Sequence, residues 1–247
     1  MIFKKKQRVL SSEEVKNTLT ENLSFSASES YKLLRTNLSF SFPDEEGCKI
    51  IGITSAINGE GKSTTSINLA YVIAQAGDRV LLLDGDMRLP TIAKKLDIKP
   101  APGLSNILAG QAKCDDVIQQ SSLNEHLKIV TAGDIPPNPS ELVNSAKMGI
   151  VLEELASKFD YIIVDLPPLN MVVDAAIIAK KINGIVLTVR KDCCKRSDVD
   201  SAVKQLEFAN ARLLGFVFTG ADSEKRGYKR YGKYKYSYYG KSQPKND

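Results

Sequence analysis

One stretch of the sequence has the residue types and spacing of a phosphate-binding loop. An apolar segment runs into residues 55–64, SAINGEGKST, and a segment of helical spacing follows. Gly59 and Gly61 let the backbone curl so that its N–H groups converge on phosphates, and the helix dipole adds to the attraction. Lys62 can reach the β- and γ-phosphates, and the Ser63 hydroxyl can bind Mg²⁺. The pattern predicts a site for ATP and Mg²⁺ whose nucleotide-binding residues are Ala56, Asn58, Gly59, Glu60, Gly61, Lys62, Ser63 and Thr64.

Aspartates follow two other apolar segments. Residues 79–84 end in Asp84 and are followed by Gly85-Asp86, and residues 161–165 end in Asp165. An isolated aspartate at the end of a strand is often a turn former or a helix cap. Beside a phosphate loop, carboxylates at the carboxyl ends of parallel strands face the ligand crevice and can hold Mg²⁺ directly or through its water shell. We therefore predict a metal site made of Ser63, Asp84, Asp86 and Asp165.

Alternating strand and helix patterns must position these residues. The apolar runs are rich in Val, Ile and Leu without strict alternation, which is typical of parallel strands buried on both faces. The patterns predict an α/β fold of the P-loop NTPase type, a doubly wound, mostly parallel sheet flanked by helices. The predicted strands are 49–54, 79–84, 127–131, 161–165, 184–190 and 213–218, and the predicted helices are 26–40, 63–76, 140–158, 174–182 and 197–210.

Composition divides the chain into three parts. Residues 1–25 are polar and weakly patterned, so we predict a mobile segment; residues 26–220 form the predicted nucleotide-binding domain, including its N-terminal helix. Residues 221–247 contain almost no aliphatic side chains, and this composition predicts a disordered tail. No apolar run approaches the ~20 residues of a membrane span, and no signal peptide is recognisable. We expect a cytoplasmic protein.

The tail is dense in tyrosine and basic residues. Residues 225–247 contain eight Lys and Arg against one Asp, whereas the whole chain has a formal net charge of +5. Aromatic and basic residues in alternation are compatible with binding of single-stranded nucleic acid. They are equally compatible with a set of phosphate acceptors. Together with the phosphate loop and its aspartates, the second interpretation is favoured, without a nucleic-acid partner, and the acceptors are Tyr228, Tyr231, Tyr234, Tyr236, Tyr238 and Tyr239.

The motifs resemble those of the bacterial tyrosine kinases, specifically the separate cytoplasmic kinases of capsular and exopolysaccharide biosynthesis. Four features carry the resemblance: SAINGEGKST, the second acidic motif LLLDGDMRLP, the segment YIIVDLPP, and the terminal tyrosine cluster. The resemblance implies ATP-dependent autophosphorylation of the tail, with a catalytic group made of Lys62, Asp84, Asp86 and Asp165. It also implies a ring-shaped homo-oligomer held by an E-x-x-R-x-x-R motif, which reads Glu29, Lys32 and Arg35 here. Lys32 keeps the charge of the family's arginine but not its bidentate geometry.

The family resemblance implies further partners. These are a transmembrane adaptor, or chain-length determinant, that activates the kinase and recruits it to the inner face of the membrane, and a cognate tyrosine phosphatase. A second hypothesis is a switch ATPase of the septum-placement and chromosome-partition type that acts as a scaffold for a membrane complex. Such ATPases carry a signature lysine five residues before the loop lysine, a position that Ile57 occupies here.

Overall fold

The computed structural model describes residues 19–43 and 46–221. Within these residues the chain forms a seven-stranded sheet in the order β3-β4-β2-β5-β1-β6-β7. All neighbouring strands are parallel except β3 and β4. None of the helices in the described ranges combines the length and apolarity needed to cross a bilayer. The strands are β1 Lys49–Ser55, β2 Val80–Asp84, β3 Gln119–Gln120, β4 Leu127–Val130, β5 Tyr161–Asp165, β6 Gly184–Arg190 and β7 Leu213–Thr219.

The predicted fold class is confirmed, and each of the six predicted strands is present with bounds that differ by at most one residue. The central strands β1, β2 and β5 are covered on both faces, which explains their continuous apolar sequences. In β5, Ile162 and Val164 pack into one core cluster and Ile163 into the other. The additional strand, β3, was not predicted because it is only two polar residues long.

Helices cover both faces of the sheet. The long predicted helix 140–158 is two helices, because the backbone of Ser145 is extended. Three helices of four or five residues were not predicted, since such lengths are too short to show a helical period. The helices are α1 Phe25–Phe40, α2 Lys62–Ala74, α3 Ile92–Leu96, α4 Leu104–Leu108, α5 Cys114–Val117, α6 Pro139–Asn144, α7 Ala146–Ala156, α8 Asp174–Ala179 and α9 Arg196–Phe208.

The packed part of the chain begins earlier than residue 26. Leu19 is buried in the core beside α2, and the backbone N–H of Thr20 donates to Asn68 Oδ1 at 2.7 Å. Ser24 then caps α1 by accepting a hydrogen bond from the N–H of Ala27. Leu19 and Thr20 therefore pack against the folded domain, whereas residues 1–18 of the predicted mobile segment lie outside the described residues.

Candidate active site

The phosphate loop, residues 55–64, connects β1 to α2. Gly59 and Gly61 have φ angles of 85° and 90°, a left-handed conformation that glycine adopts without steric cost. The first hydrogen bond of α2 runs from Thr65 N–H to the carbonyl of Gly61 at 2.9 Å. The amides that precede Thr65 at this helix start have no acceptor within the helix, which is the arrangement that binds phosphate.

Residues from distant strands brace this loop. Glu60 is fully buried, and its carboxylate accepts hydrogen bonds from the backbone N–H groups of Ile57 at 2.9 Å and Arg190 at 3.3 Å. The Arg190 guanidinium donates to the carbonyl of Gly59 at 3.1 Å, and the Thr219 hydroxyl donates to the carbonyl of Glu60 at 2.8 Å. Since the Glu60 carboxylate is used inside the protein, its backbone amide is the group left for a phosphate.

Lys62 lies in direct contact with one of the predicted aspartates. Its Nζ is 2.9 Å from Asp86 Oδ2, and the two residues are 8% and 2% exposed. Burial alone lowers the pKa of Lys62, but the negative charges of Asp165 and Asp86 outweigh burial, so that the pKa is raised. Lys62 is therefore a permanent cation at neutral pH, held among carboxylates.

Asp84 and Asp165 end neighbouring strands at the same level of the sheet. Both are fully buried. Burial raises the pKa of Asp84 well above its usual value and the charge of Asp165 raises it further, although the backbone N–H groups of Ile92 and Asp86 donate to it. The N–H of Gly85 donates to the carbonyl of Asp165 at 2.8 Å, and a Cβ on Gly85 would lie only 3.0 Å from that oxygen. Because position 85 is glycine, the segment that follows β2 can pass this close to the end of β5.

One carboxylate oxygen of Asp165 is not satisfied by the residues that the structure describes. Oδ1 accepts a hydrogen bond from Ser66 Oγ at 3.1 Å, whereas the buried Oδ2 has no hydrogen-bond partner in the part of the chain that the structure describes. Burial raises the pKa of Asp165, and the charge of Lys62 and a hydrogen bond from Ser63 oppose that rise. A buried carboxylate oxygen without a partner is the group that a cation or a cation-bound water would satisfy.

The four predicted metal ligands differ in whether other groups of the protein already occupy their oxygen atoms. Ser63 and Asp165 lie together, but Asp84 accepts two backbone N–H bonds at 3.2 Å and Asp86 holds Lys62. Within the described ranges, no group of three or more His, Cys, Asp or Glu side chains is arranged as a metal site. Mg²⁺ does not require such a group, because it keeps several waters and uses one or two protein oxygens together with substrate phosphates. The residues present therefore fit Mg²⁺. Ser63 and Asp165 are the two that would coordinate it directly.

Comparison with known proteins assigns the chain to a family. Residues 48–196 match the AAA domain family. The tyrosine-protein kinase CpsD of Streptococcus agalactiae is 38% identical over 207 residues, which cover 83% of this chain and 89% of CpsD. The tyrosine-protein kinase YwqD of Bacillus subtilis is 36% identical over 213 residues, 86% of each chain. The chain belongs to the bacterial tyrosine-protein kinase family. It is thus an enzyme that phosphorylates protein tyrosine, as the motifs predicted.

Solved structures agree with this assignment. The kinase domain of Escherichia coli tyrosine kinase ETK superposes with a TM-score of 0.77 at 32% identity, covering 86% of this kinase and 84% of that chain. The chimerical protein CapA2B2 gives a TM-score of 0.76 at 34% identity, with coverage of 83% and 88%.

The rival hypothesis of a switch ATPase corresponds to a more distant likeness. The septum site-determining protein MinD of Pyrococcus horikoshii, complexed with Mg-ADP, has a TM-score of 0.60 at 25% identity and covers 71% of this kinase. Ile57, which stands where those ATPases carry a signature lysine, packs its side chain against the core. An apolar residue in that environment leaves the kinase without the corresponding cation.

A second lysine approaches the phosphate loop of the kinase and was not predicted. Lys95, in α3, places its Nζ 3.3 Å from Thr64 Oγ1. Burial lowers the pKa of Lys95 and the nearby charge of Lys62 lowers it further, while Asp165 acts in the opposite direction. Thr64 was predicted to bind nucleotide, so Lys95 adds positive charge beside that position. No sequence signal marked it, because α3 itself was not predicted.

An ion pair connects the second acidic motif of the kinase to α8, and a serine of α6 joins it. The Arg88 guanidinium donates to both carboxylate oxygens of the buried Asp174, at 2.7 and 3.3 Å. Ser140 Oγ donates to Asp174 at 2.6 Å and accepts from Arg88 at 2.8 Å. Arg88 lies two residues after Asp86, so this network fixes the segment that carries Asp86. The residues LLLDGDMRLP contain Arg88, but nothing in the sequence points to its partners.

The residues of the predicted oligomerisation motif lie on α1. Lys32 Nζ pairs with Glu29 Oε1 at 2.8 Å, and Arg35 donates to the carbonyl of Val72 at 3.1 Å. These contacts are formed within one copy of the kinase. Of the other predicted residues, Ala56 is fully buried and Asn58 is exposed. The six predicted acceptor tyrosines of the tail lie outside the described residues.

Proposed function

We propose that this kinase transfers the γ-phosphate of MgATP to the tyrosines of its own C-terminal tail, and that it thereby regulates capsular or exopolysaccharide synthesis and export. The observation that carries the proposal is the buried group at the carboxyl edge of the sheet, in which Lys62 contacts Asp86 and lies within the field of Asp165. The acceptors proposed are Tyr228, Tyr231, Tyr234, Tyr236, Tyr238 and Tyr239.

The geometry supports a different role for each of these residues during phosphate transfer. The free amides of the phosphate loop and Lys62 hold the β- and γ-phosphates, and Ser63 and Asp165 hold Mg²⁺, which when bound neutralises charge on the transferring group. When Lys62 turns to the phosphate, Asp86 loses its ion-pair partner. Asp86 is then the base that takes the tyrosine proton as the phenolic oxygen attacks the γ-phosphorus and ADP leaves. Asp84, beside Asp165, acts nearer the metal.

The proposed partners follow from the family and from the exposed face of α1. Phe25, Leu33 and Phe40 are 77%, 61% and 75% exposed, an unusual set of large apolar side chains on one helix. With Glu29 and Lys32 they form a surface for a neighbouring copy in a ring. A transmembrane adaptor is proposed to activate the kinase and recruit it from the cytoplasm to the inner face of the membrane, and a cognate tyrosine phosphatase to reverse the modification.

Incubation of the purified protein with radiolabelled ATP and Mg²⁺ tests this function, with and without the cytoplasmic segment of a co-encoded adaptor. Phosphoamino-acid analysis is expected to show phosphotyrosine, and mass spectrometry to place it between residues 228 and 239. The chain's remaining tyrosines, Tyr31, Tyr71 and Tyr161, serve as internal controls and are expected to stay unmodified. ATP hydrolysis without labelled tyrosine in either condition would instead support the switch ATPase.

A further inference from the structure

A groove of about 660 Å³ lies between α8 and α9, outside the phosphate loop and its aspartates. Its apolar lining includes Val173, Ile177 and Phe208. Phe208 is 93% exposed and Val173 58% exposed, so the apolar surface is open to a ligand. This volume is within the range of about 300–1,000 Å³ that is usual for ligand sites.

Among the described residues, the charges that line the groove all have one sign. Lys180, Lys181 and Lys204 line it, and no acidic residue of these ranges does. No ion pair joins these three lysines to a carboxylate in the described part of the chain. An apolar surface beside unpaired lysines is complementary to a ligand that combines a ring or aliphatic surface with negative charge.

We propose that this groove binds phosphotyrosine residues of the kinase's own tail, residues 222–247, from the same copy or a neighbouring one. The inference rests on the proposed function, because that function makes the ligand. The aromatic ring packs on Phe208 and Ile177, and the phosphate receives charge-assisted hydrogen bonds from the lysine ammonium groups. The groove is thus a product-binding site separate from the catalytic edge.

Charge selects the phosphorylated tail over the unmodified one. Residues 225–247 carry eight basic side chains and one acidic side chain, 8 − 1 = +7 without the terminal carboxylate, so the groove lysines repel them. Each phosphotyrosine adds about −1.5 to −2 charges, and roughly four of them cancel the charge of residues 225–247. The affinity of the groove for the tail therefore rises as more tyrosines are phosphorylated. Binding then keeps phosphorylated tyrosines away from the catalytic edge.

The path of the chain allows this occupant. Helix α9, one wall of the groove, leads directly into β7, and the tail follows β7 at Ala221. Tyr228 is seven residues beyond Ala221, and Tyr239 is eighteen residues beyond it. At ~3.3–3.6 Å per extended residue, these separations allow at most roughly 25 Å and 65 Å. The acceptors nearer the C-terminus thus have the longer reach.

Fluorescence anisotropy with synthetic peptides tests the proposal. The peptides span residues 225–247, one unmodified and one with phosphotyrosine at positions 228, 231, 234 and 236, and the protein is the full chain with Lys62→Met, which keeps its own tail unmodified. The phosphopeptide is expected to bind at least about tenfold more tightly, since several charge-assisted contacts depend on the phosphates. Equal affinity for the two peptides would overturn the proposal.

Groove variants locate the binding. Lys180→Ala with Lys204→Ala is expected to weaken phosphopeptide binding about tenfold or more, because charged hydrogen bonds each contribute appreciably. The matched control, Lys99→Ala with Lys128→Ala, removes two exposed lysines elsewhere and is expected to leave binding unchanged. Phe208→Ala is expected to weaken binding of the phosphopeptide more than binding of a peptide with glutamate at the same four positions, since glutamate lacks the ring. Loss of affinity in the control pair alone would place the site elsewhere and refute the proposal.

An anionic membrane is the alternative ligand for a basic and apolar surface. Sedimentation with vesicles of phosphatidylserine and phosphatidylcholine is therefore measured with the same variants. Vesicle binding that depends on Lys180 and Lys204, together with phosphopeptide binding that does not, would replace the proposal with a membrane site. Because the peptides are phosphorylated chemically, their binding is measured even if the kinase never modifies its tail. Failure of this inference is thereby distinguished from failure of the proposed function.

Discussion

Strand β5 has an aspartate at each end, and the two have opposite properties. Asp160, just before the strand, has a side chain that is 40% exposed and holds Arg79 through two side-chain hydrogen bonds. These bonds hold the pKa of Asp160 below its usual value. Asp165, at the other end, is fully buried, and burial raises its pKa. The ionised form is favoured by folding at Asp160 and disfavoured at Asp165.

This difference is the one expected between a structural charge and the functional charge that we propose for Asp165. A paired, partly exposed carboxylate adds a little to stability. A buried carboxylate with one oxygen unpartnered has a cost in stability, and such costs concentrate at functional sites. The residue type is the same, so the distinction lies in the surroundings. At the amino end of β5 the charge of Asp160 is paired within the chain, whereas at the carboxyl end one oxygen of Asp165 has no partner among the described residues.

The largest expected effect is on the reaction at the carboxyl edge. Lys62→Met is expected to lower tail phosphorylation by about 10²–10³-fold or more, because it removes a preorganised cation from the transferring phosphate. Incorporation of radiolabelled phosphate into the tail measures the effect, and circular dichroism checks that the fold is kept. Lys128→Met, on the exposed side of β4, is the control and is expected to retain normal activity. Normal tail labelling by Lys62→Met would exclude the phosphate loop as the kinase site.

Asparagine in place of the aspartate at either end of β5 tests the comparison, and the larger effect is expected at Asp165. Asp165→Asn is expected to lower activity about 10²-fold, since a charge facing the transferring phosphate and its metal is lost. Without Mg²⁺ and nucleotide, however, the variant is expected to melt about 2–5 °C higher, because a buried charge beside Asp84 is removed. Lys62 keeps its contact with Asp86. Differential scanning fluorimetry in EDTA measures the shift, and a lower melting temperature than the wild type would contradict this account of Asp165.

A smaller effect is expected where an arginine positions the catalytic segment. Arg88→Lys removes the bidentate contact with Asp174, and the segment carrying Asp86 becomes less fixed. We expect kcat to fall about tenfold, since misplacement of reacting groups by ~1 Å can cost up to 10². Arg79→Lys is the matched control, because Arg79 makes a bidentate pair of the same type at the amino edge. Equal loss of kcat in both variants would indicate general destabilisation rather than positioning.

The central strands of the sheet were predicted well from the sequence. β1, β2 and β5 were recognised because strands buried on both faces are apolar throughout, and their ends therefore placed Lys62, Asp84 and Asp165 at one edge. Lys95 could not be found this way, since it lies on a helix of only five residues. Local patterns also could not reveal that Arg88 contacts Asp174, 86 residues away, or that Glu60 contacts the backbone of Arg190, 130 residues away. Those contacts depend on how elements pack, and local patterns do not encode packing.

The groove between α8 and α9 was missed for a related reason. Lys180 and Lys181 follow the end of α8, and Lys204 lies on α9 beyond β6, so no local motif joins them. In the sequence each is an ordinary surface lysine, since none is buried. The one-signed charge of the groove becomes visible only when both helices are in place.

The smallest expected effect is the pH-dependent stability of the pair at the amino edge. Asp160→Asn keeps an acceptor for the backbone N–H of Arg79 but loses the charge-assisted bonds to its guanidinium. At pH 7 we expect the melting temperature to fall by about 1–3 °C, since exposed pairs contribute little.

The sign of the pH dependence follows from the depressed pKa of Asp160. Its stabilisation is present above the unfolded-state pKa, about 3.9, and is lost as the pH falls through the lower folded-state pKa. The difference between wild type and Asp160→Asn should therefore be constant from pH 8 to about pH 5, shrink below pH 4, and vanish once both states are protonated. Melting curves of the two proteins at matched ionic strength from pH 3 to pH 8 measure it. A difference that persisted undiminished at pH 3 would show that Asp160 acts through hydrogen-bond geometry rather than through its charge.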